Sequence, residues 1–214
     1  MTGFFAAVCA GFVGLLLYAE RKERIRLKWL AKPAASAAFI AVGVAGLDGA
    51  VTLFDGLLIA GLVLCALGDG LLIPRREAFF LAGMGAFGLG HLAYAGAFLS
   101  YNASLKPSLF IGAVVMTVMA TATLRMVWSG LGAFRGPVIV YMAVITAMAL
   151  ASLAATPAAG GHDWVIVAGA FGFALSDVAV ARDQFARPEF MNRLWGLPLY
   201  YGSQLLLAAS VGAA

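Results

Sequence analysis

Apolar runs, most of them long enough to cross a hydrocarbon layer, recur along almost the whole chain, at residues 3–19, 33–47, 53–73, 78–100, 107–127, 136–155, 163–181 and 194–212. Each is bounded by charged residues or by Gly and Pro. Inside a bilayer every backbone N–H and C=O must find a partner within the protein, so apolar runs of this length become helices. The expectation is an all-α, polytopic membrane bundle of eight transmembrane helices, forming a single transmembrane domain over residues 1–214. The runs 3–19 and 33–47 fall short of the roughly 20 residues that a span needs. A re-entrant 33–47 would leave seven spans. With 63% hydrophobic and 11% charged residues, little polar sequence remains for a soluble domain.

The basic residues set the orientation. Arg21, Lys22, Arg24, Arg26, Lys28 and Lys32 follow the first run, Arg75 and Arg76 the third, Arg125 and Arg135 flank the fifth turn, and Arg182, Arg187 and Arg193 follow the seventh. Of the 14 Lys and Arg residues only Lys106 falls on the other side. This positive-inside asymmetry places both termini on the non-cytoplasmic side and favours an even number of spans. Asp48, Asp55, His162 and Asp163 then fall in outer loops. Residues 21–30 read either as an interfacial helix anchored by Trp29 or as a solvated basic loop. The formal charge of +4 forms no stripe, which argues against nucleic acid as a partner. Residues 1–10 lack a basic leader region, so the first helix is expected to stay. Cys9 and Cys65 lie within spans and imply no disulfide framework.

Two carboxylates interrupt this pattern, Asp69 in Leu67-Gly68-Asp69-Gly70-Leu71-Leu72 and Asp177 in Phe173-Ala174-Leu175-Ser176-Asp177. A carboxylate near the centre of a membrane helix costs roughly 2.5–3.5 kcal/mol, so its retention points to a function. With the orientation above, both lie about one turn from the inner boundary. Small neighbours, Gly68, Gly70 and Ser176, leave room around them. Two carboxyls in one dry cleft resist ionising together, which makes an acid and base pair. The competing reading is structural, with each Asp holding helices together through Arg or backbone groups.

Other polar groups fall at helical spacing: His91 and Tyr94 on the fourth run, Tyr201 and Gln204 on the eighth. By rise per residue His91 lies about 20 Å from the inner start of its helix, deeper than the Asp pair. It therefore reads first as a core residue bonded to Tyr94 or Gln204. Lys32, before Pro33, could meet a phosphate at the inner face. With two histidines in the chain a three-histidine zinc site is unavailable, and no GxSxG elbow, phosphate loop, dinucleotide fingerprint or HExxH is present.

Taken in order, Lys32-Pro33, Gly68-Asp69 with Leu71-Leu72, Gly90-His91-Leu92-Ala93-Tyr94, Phe173 to Ser176-Asp177 with Phe185, and Tyr201 to Gln204 resemble the YhhN or lysoplasmalogenase family of eight-helix membrane proteins. The resemblance runs over about 32–204. The Arg182-Asp183 pair and Ser203 before Gln204 depart from it. What it implies is hydrolysis of the vinyl ether bond of a lysoplasmalogen, without cofactor or metal, to a fatty aldehyde and a glycerophospho-ethanolamine or -choline. Asp69 and Asp177 would be the catalytic pair, and Lys32, His91, Tyr94, Ser176, Tyr201 and Gln204 the substrate-binding residues. The headgroup would sit near Lys32, Arg75 or Arg76. The implied setting is a bacterial inner membrane, with lysophospholipid and membrane lipids as partners. The rivals are a non-catalytic lipid binder, a small-molecule transporter, or a hydrolase of another lipid ether, ester or amide.

Overall fold

A computed structural model describes residues 1–74, 76–101, 103–155 and 163–212, without the side chain of Asp163. Among these residues the chain forms eight α-helices and no strand: α1 Thr2–Arg21, α2 Ile25–Ala45, α3 Leu53–Leu71, α4 Glu77–Leu99, α5 Ser108–Val127, α6 Arg135–Ala154, α7 Asp163–Phe185 and α8 Phe190–Ala209. Two short 3-10 turns, Trp128–Gly130 and Gly132–Phe134, join α5 to α6. Among the described residues seven helices are long and apolar enough to cross a membrane, so the chain is an integral, multi-pass membrane protein. The remaining helix, α8, carries its polar residues inward: Asn192, Tyr200, Tyr201, Ser203 and Gln204 are all buried.

Three expectations change. The stretch 21–30 is neither an interfacial helix nor a loop, because α1 runs through Arg21 and α2 already begins at Ile25. Lys, Arg and Leu are good helix formers, and their long stems lie along apolar surface while the charges reach out. Only a tight turn remains between the two helices, with Glu23 at φ 52°. At 21 residues α2 is full length, with Pro33 inside it, so it is not a short re-entrant segment. Asp55 is no loop residue either. It sits in the first turn of α3, where Thr52 and Asp55 cap each other's backbone N–H. His162 and the Arg75 side chain lie outside the described residues.

Asp55 also closes the end of the bundle opposite the arginines. Its Oδ1 accepts the Gly212 N–H at 2.8 Å, while Oδ2 accepts from the Thr52 hydroxyl at 2.7 Å. One buried carboxylate thus ties the start of α3 to the chain beyond α8. Asp55→Ala is expected to lower stability by about 1–2 kcal/mol, the usual cost of a lost cap, visible as a lower melting temperature in detergent.

Successive helices pack as hairpins, α1 on α2, α3 on α4 and α7 on α8. In addition α8 packs on α1, α2 and α3, and α6 packs on α4, α5 and α7. These contacts surround a core that includes Leu58, Leu62, Tyr94, Phe98, Phe173 and Tyr201. They also direct one face of α2, α3, α4, α6, α7 and α8 toward a common interior at the arginine-rich end.

Candidate active site

A cavity of about 710 Å³ opens among the helix ends at the arginine-rich side, a volume within the usual range for ligand pockets. Asp69 and Asp177 both line it. Its outer lining is charged with both signs: Glu20, Glu23, Glu77 and Asp183 stand among Arg21, Lys28, Arg76 and Arg193. Leu72, Phe80, Met84, Phe87, Val138, Met142 and Phe185 give it an apolar side contributed by α3, α4, α6 and α7. Such a lining suits a molecule with one polar and one oily end.

The surroundings of Asp69 are crowded with donors. Its Oδ2 accepts from Ser36 at 2.7 Å, from Tyr200 at 2.9 Å and from Tyr201 at 3.4 Å. Its Oδ1 faces the Lys32 ammonium at 3.3 Å. The carboxylate comes from α3, the lysine and serine from α2 and the two tyrosines from α8, so three helices converge on one side chain. Every group that meets Asp69 there is a donor, the arrangement that suits an ionised carboxylate.

Asp177 is held differently. Tyr141 donates its hydroxyl to Oδ2 at 2.6 Å. With that proton committed, the Tyr141 oxygen accepts from His91 Nε2, 3.0 Å away. His91 Nε2 also lies 3.5 Å from Asp177 Oδ2. His91 Nδ1 is buried without a partner. Among the described residues no Lys or Arg pairs with Asp177. The Asp177 side chain is 15% exposed, that of Asp69 only 3%.

Phe87, Phe173 and Tyr200 form an aromatic cluster, of which Tyr200 bonds Asp69. Their ring centroids lie 5.1–6.1 Å apart at steep angles, and Phe173 also meets the His91 ring at 4.5 Å. Phe87 and Tyr200 also line the cavity and add aromatic surface to it.

The mouth is braced by a chain of charges. Lys28 bonds Glu20 at 2.7 Å, Glu20 accepts from Arg193 at 3.0 Å, and Arg193 bonds Asp183 at 2.7 Å. These residues belong to α2, α1, α8 and α7, so the chain links four helices. The Arg182-Asp183 departure noted in the sequence thus places Asp183 in the mouth.

The residues singled out in the sequence are distributed as follows. Lys32 and Ser176 line the cavity together with the two acids. His91, Tyr94, Tyr201 and Gln204 are buried and do not line it. Tyr94 donates to Gln204 at 2.6 Å, forming a polar link between α4 and α8 within the core. His91 turns away from both of these residues and toward Tyr141 on α6, contrary to the expected Tyr94 or Gln204 bond. The reason is packing: α4 lies between α3 and α6, and the His91 face is the one applied to α6. Ser176 and Ser203 spend their hydroxyl protons on carbonyls of their own helices, Phe173 and Leu199.

Three residues at the acids were missed, Tyr141, Ser36 and Tyr200. Tyr141 is the one aromatic hydroxyl in the run 136–155, a signal the sequence did hold. Ser36 lies one helical turn beyond Lys32, which by itself says little. Among the described residues no group of three or more His, Cys, Asp or Glu could hold a metal ion.

Comparison with known proteins adds a separate line of evidence. Lysoplasmalogenase TMEM86A of Bos taurus is 32% identical over 155 residues, 70% of this chain and 62% of the bovine protein. The Homo sapiens protein of that name is 31% identical over 156 residues, with the same coverage. A lysoplasmalogenase of Mycobacterium bovis is 35% identical over 161 residues, 71% of this chain and 59% of that protein. The chain thus matches about three fifths of each relative's length. No solved structure matches. The model of the YhhN family matches residues 27–211, beginning earlier and ending later than the motifs alone suggested. The chain belongs to the YhhN family.

Proposed function

We propose that the protein is a lysoplasmalogenase-like hydrolase, cleaving the vinyl ether of a lysoplasmalogen with the Asp69 and Asp177 carboxyls and no metal. The observation that carries this reading is that two acids from distant helices open onto one cavity with a charged mouth and an apolar side. The names of the relatives favour the same reaction. The substrate is a lysophospholipid with its glycerophospho headgroup among the mouth charges and its chain along Phe80, Met84, Val138 and Met142.

The chemistry needs little else. A carboxylic acid gives its proton to the β-carbon of the enol ether, leaving an oxocarbenium ion next to a carboxylate. Water adds to the cationic carbon, and the hemiacetal collapses to a fatty aldehyde and an alcohol. Developing positive charge is stabilised by carboxylate and by the aromatic cluster, as carboxyl pairs do in glycoside hydrolysis. A serine nucleophile is disfavoured, since Ser176 and Ser203 are both engaged with backbone carbonyls.

The whole chain acts as one membrane domain with eight crossings, α8 being the eighth. Its inward polar face lowers its apparent hydropathy without exposing those groups to lipid. Both termini lie outside the cytoplasm and the cavity opens toward the inner leaflet, following the basic residues.

The test uses purified protein with lysoplasmenyl lipid and with its saturated-ether and ester analogues. Aldehyde is expected from the vinyl ether alone. In deuterium oxide the quenched aldehyde carries one deuterium on the carbon beside the carbonyl, because that carbon takes the acid's proton. Fatty acid release from the ester analogue, with no aldehyde from the vinyl ether, would refute the reading.

A further inference from the structure

We infer that the two acids are not interchangeable: Asp177 moves the proton throughout the reaction, Asp69 stays a fixed anion, and Tyr141 is the positioning residue for Asp177. This rests on the vinyl ether reaction proposed above and divides its labour.

The partners of each carboxyl carry the argument. Asp69 receives three hydroxyls on Oδ2 and faces an ammonium on Oδ1, so both of its oxygens are engaged. A proton placed on either oxygen would disrupt one of those contacts. Among the described residues Asp177 accepts a hydrogen bond on Oδ2 alone, from Tyr141, with His91 Nε2 3.5 Å from the same oxygen, and it is the more exposed of the two acids. Its Oδ1 is the oxygen left over for substrate. Tyr141 fixes the plane of that carboxyl, and His91, itself held against Phe173, fixes Tyr141.

The sequence of steps balances on one carboxyl. Asp177 gives its proton to the β-carbon, and the π pair forms the new C–H bond. The ether oxygen donates a lone pair to the adjacent carbon, giving an oxocarbenium ion close to the Asp69 charge. Water attacks that carbon and passes a proton to the Asp177 carboxylate, which restores the acid and yields the hemiacetal. Asp177 then protonates the glycerol oxygen as the C–O bond breaks. The hemiacetal hydroxyl loses its proton, which returns to Asp177, and its oxygen becomes the aldehyde carbonyl. One water is consumed and no other reactant is needed.

Chemical rescue separates the two roles. Full-length Asp177→Ala and Asp69→Ala proteins are assayed for aldehyde from lysoplasmenyl lipid with and without formate, beside the wild type. Each variant is expected to lose about a hundredfold or more in turnover. Formate, entering the space left by the missing carboxyl, should restore Asp177→Ala about tenfold and saturably, since it can carry the proton. Rescue of Asp177→Ala should grow as the pH falls and formic acid replaces formate, whereas rescue of Asp69→Ala, whose pocket of donors takes the anion, should fade with the same change.

Tyr141→Phe should lower kcat about tenfold with KM within about twofold and the melting temperature held, the pattern of a lost transition-state contact. The opposite pH dependence of rescue at the two sites, or no rescue of Asp177→Ala beside an active wild type, would overturn the division of roles and leave the reaction standing. So would a Tyr141→Phe protein altered in KM alone. A wild type that releases no aldehyde would remove the reaction itself.

Discussion

Asp177→Asn and Asp69→Asn proteins, each extracted in folded form, are expected to release essentially no aldehyde, but for different reasons. In Asp177→Asn the proposed proton donor is gone, and general acid catalysis contributes about 10²–10⁴-fold. In Asp69→Asn the hydroxyls of Ser36, Tyr200 and Tyr201 still find an acceptor, and what disappears is the negative charge beside the developing cation. Removal of such preorganised electrostatic stabilisation costs about 10²–10³-fold. The second substitution also strands Lys32. Breaking a fully buried pair costs about 3–5 kcal/mol. The Lys32 side chain keeps 13% exposure, so the loss here should be nearer 1–3 kcal/mol. Adding Lys32→Met to Asp69→Asn should recover the melting temperature and leave turnover absent. Recovery of turnover with the stability would mean that Asp69 serves only to hold α2 against α3.

Gly61→Ala is expected to be the most damaging single methyl group on α3. A Cβ at Gly61 would run into the ring of Tyr94 on the neighbouring α4. That ring has nowhere to go, being fully buried and bonded to Gln204 on α8 at 2.6 Å. Either α3 and α4 separate or the polar link between α4 and α8 breaks, at a cost of about 1–3 kcal/mol typical of overpacking. Close approach through small residues holds membrane helices together where the hydrophobic effect does not. Gly56, five residues earlier on α3, has nothing within 4 Å of its Cβ position. Gly56→Ala should be neutral or slightly stabilising, because alanine is the better helix former. Paired melting curves in detergent check the contrast, and equal losses in both would contradict the packing described.

The helices could be read from the chain because hydrocarbon leaves the backbone few options: each apolar run became one helix. Boundaries moved where charged residues with long apolar stems extended a helix, as at Ile25–Lys32 and beyond Arg182 to Phe185. The two acids stood out for the same reason, each being an ionisable group where lipid would exclude one. Their partners were harder to see. Tyr141 and Ser36 are common in membrane helices, and only the docking of α6 on α7 and of α2 on α3 makes them hydrogen-bond donors to a carboxylate. The depth estimate for His91 treated helices as upright rods. In the fold, His91 approaches Asp177 through Tyr141. Glu20 and Arg193 were legible as charges but not as neighbours, since 173 positions separate them along the chain.

The lining of the cavity has one further consequence. Splitting an amphiphile at its ether oxygen turns one molecule that prefers an interface into two that do not. In the proposed reaction the glycerophospho fragment would leave past Glu20, Arg193 and Arg76 toward water, and the aldehyde along Phe80 and Val138. Opposite solubilities would then separate the fragments and make recombination within the chamber improbable.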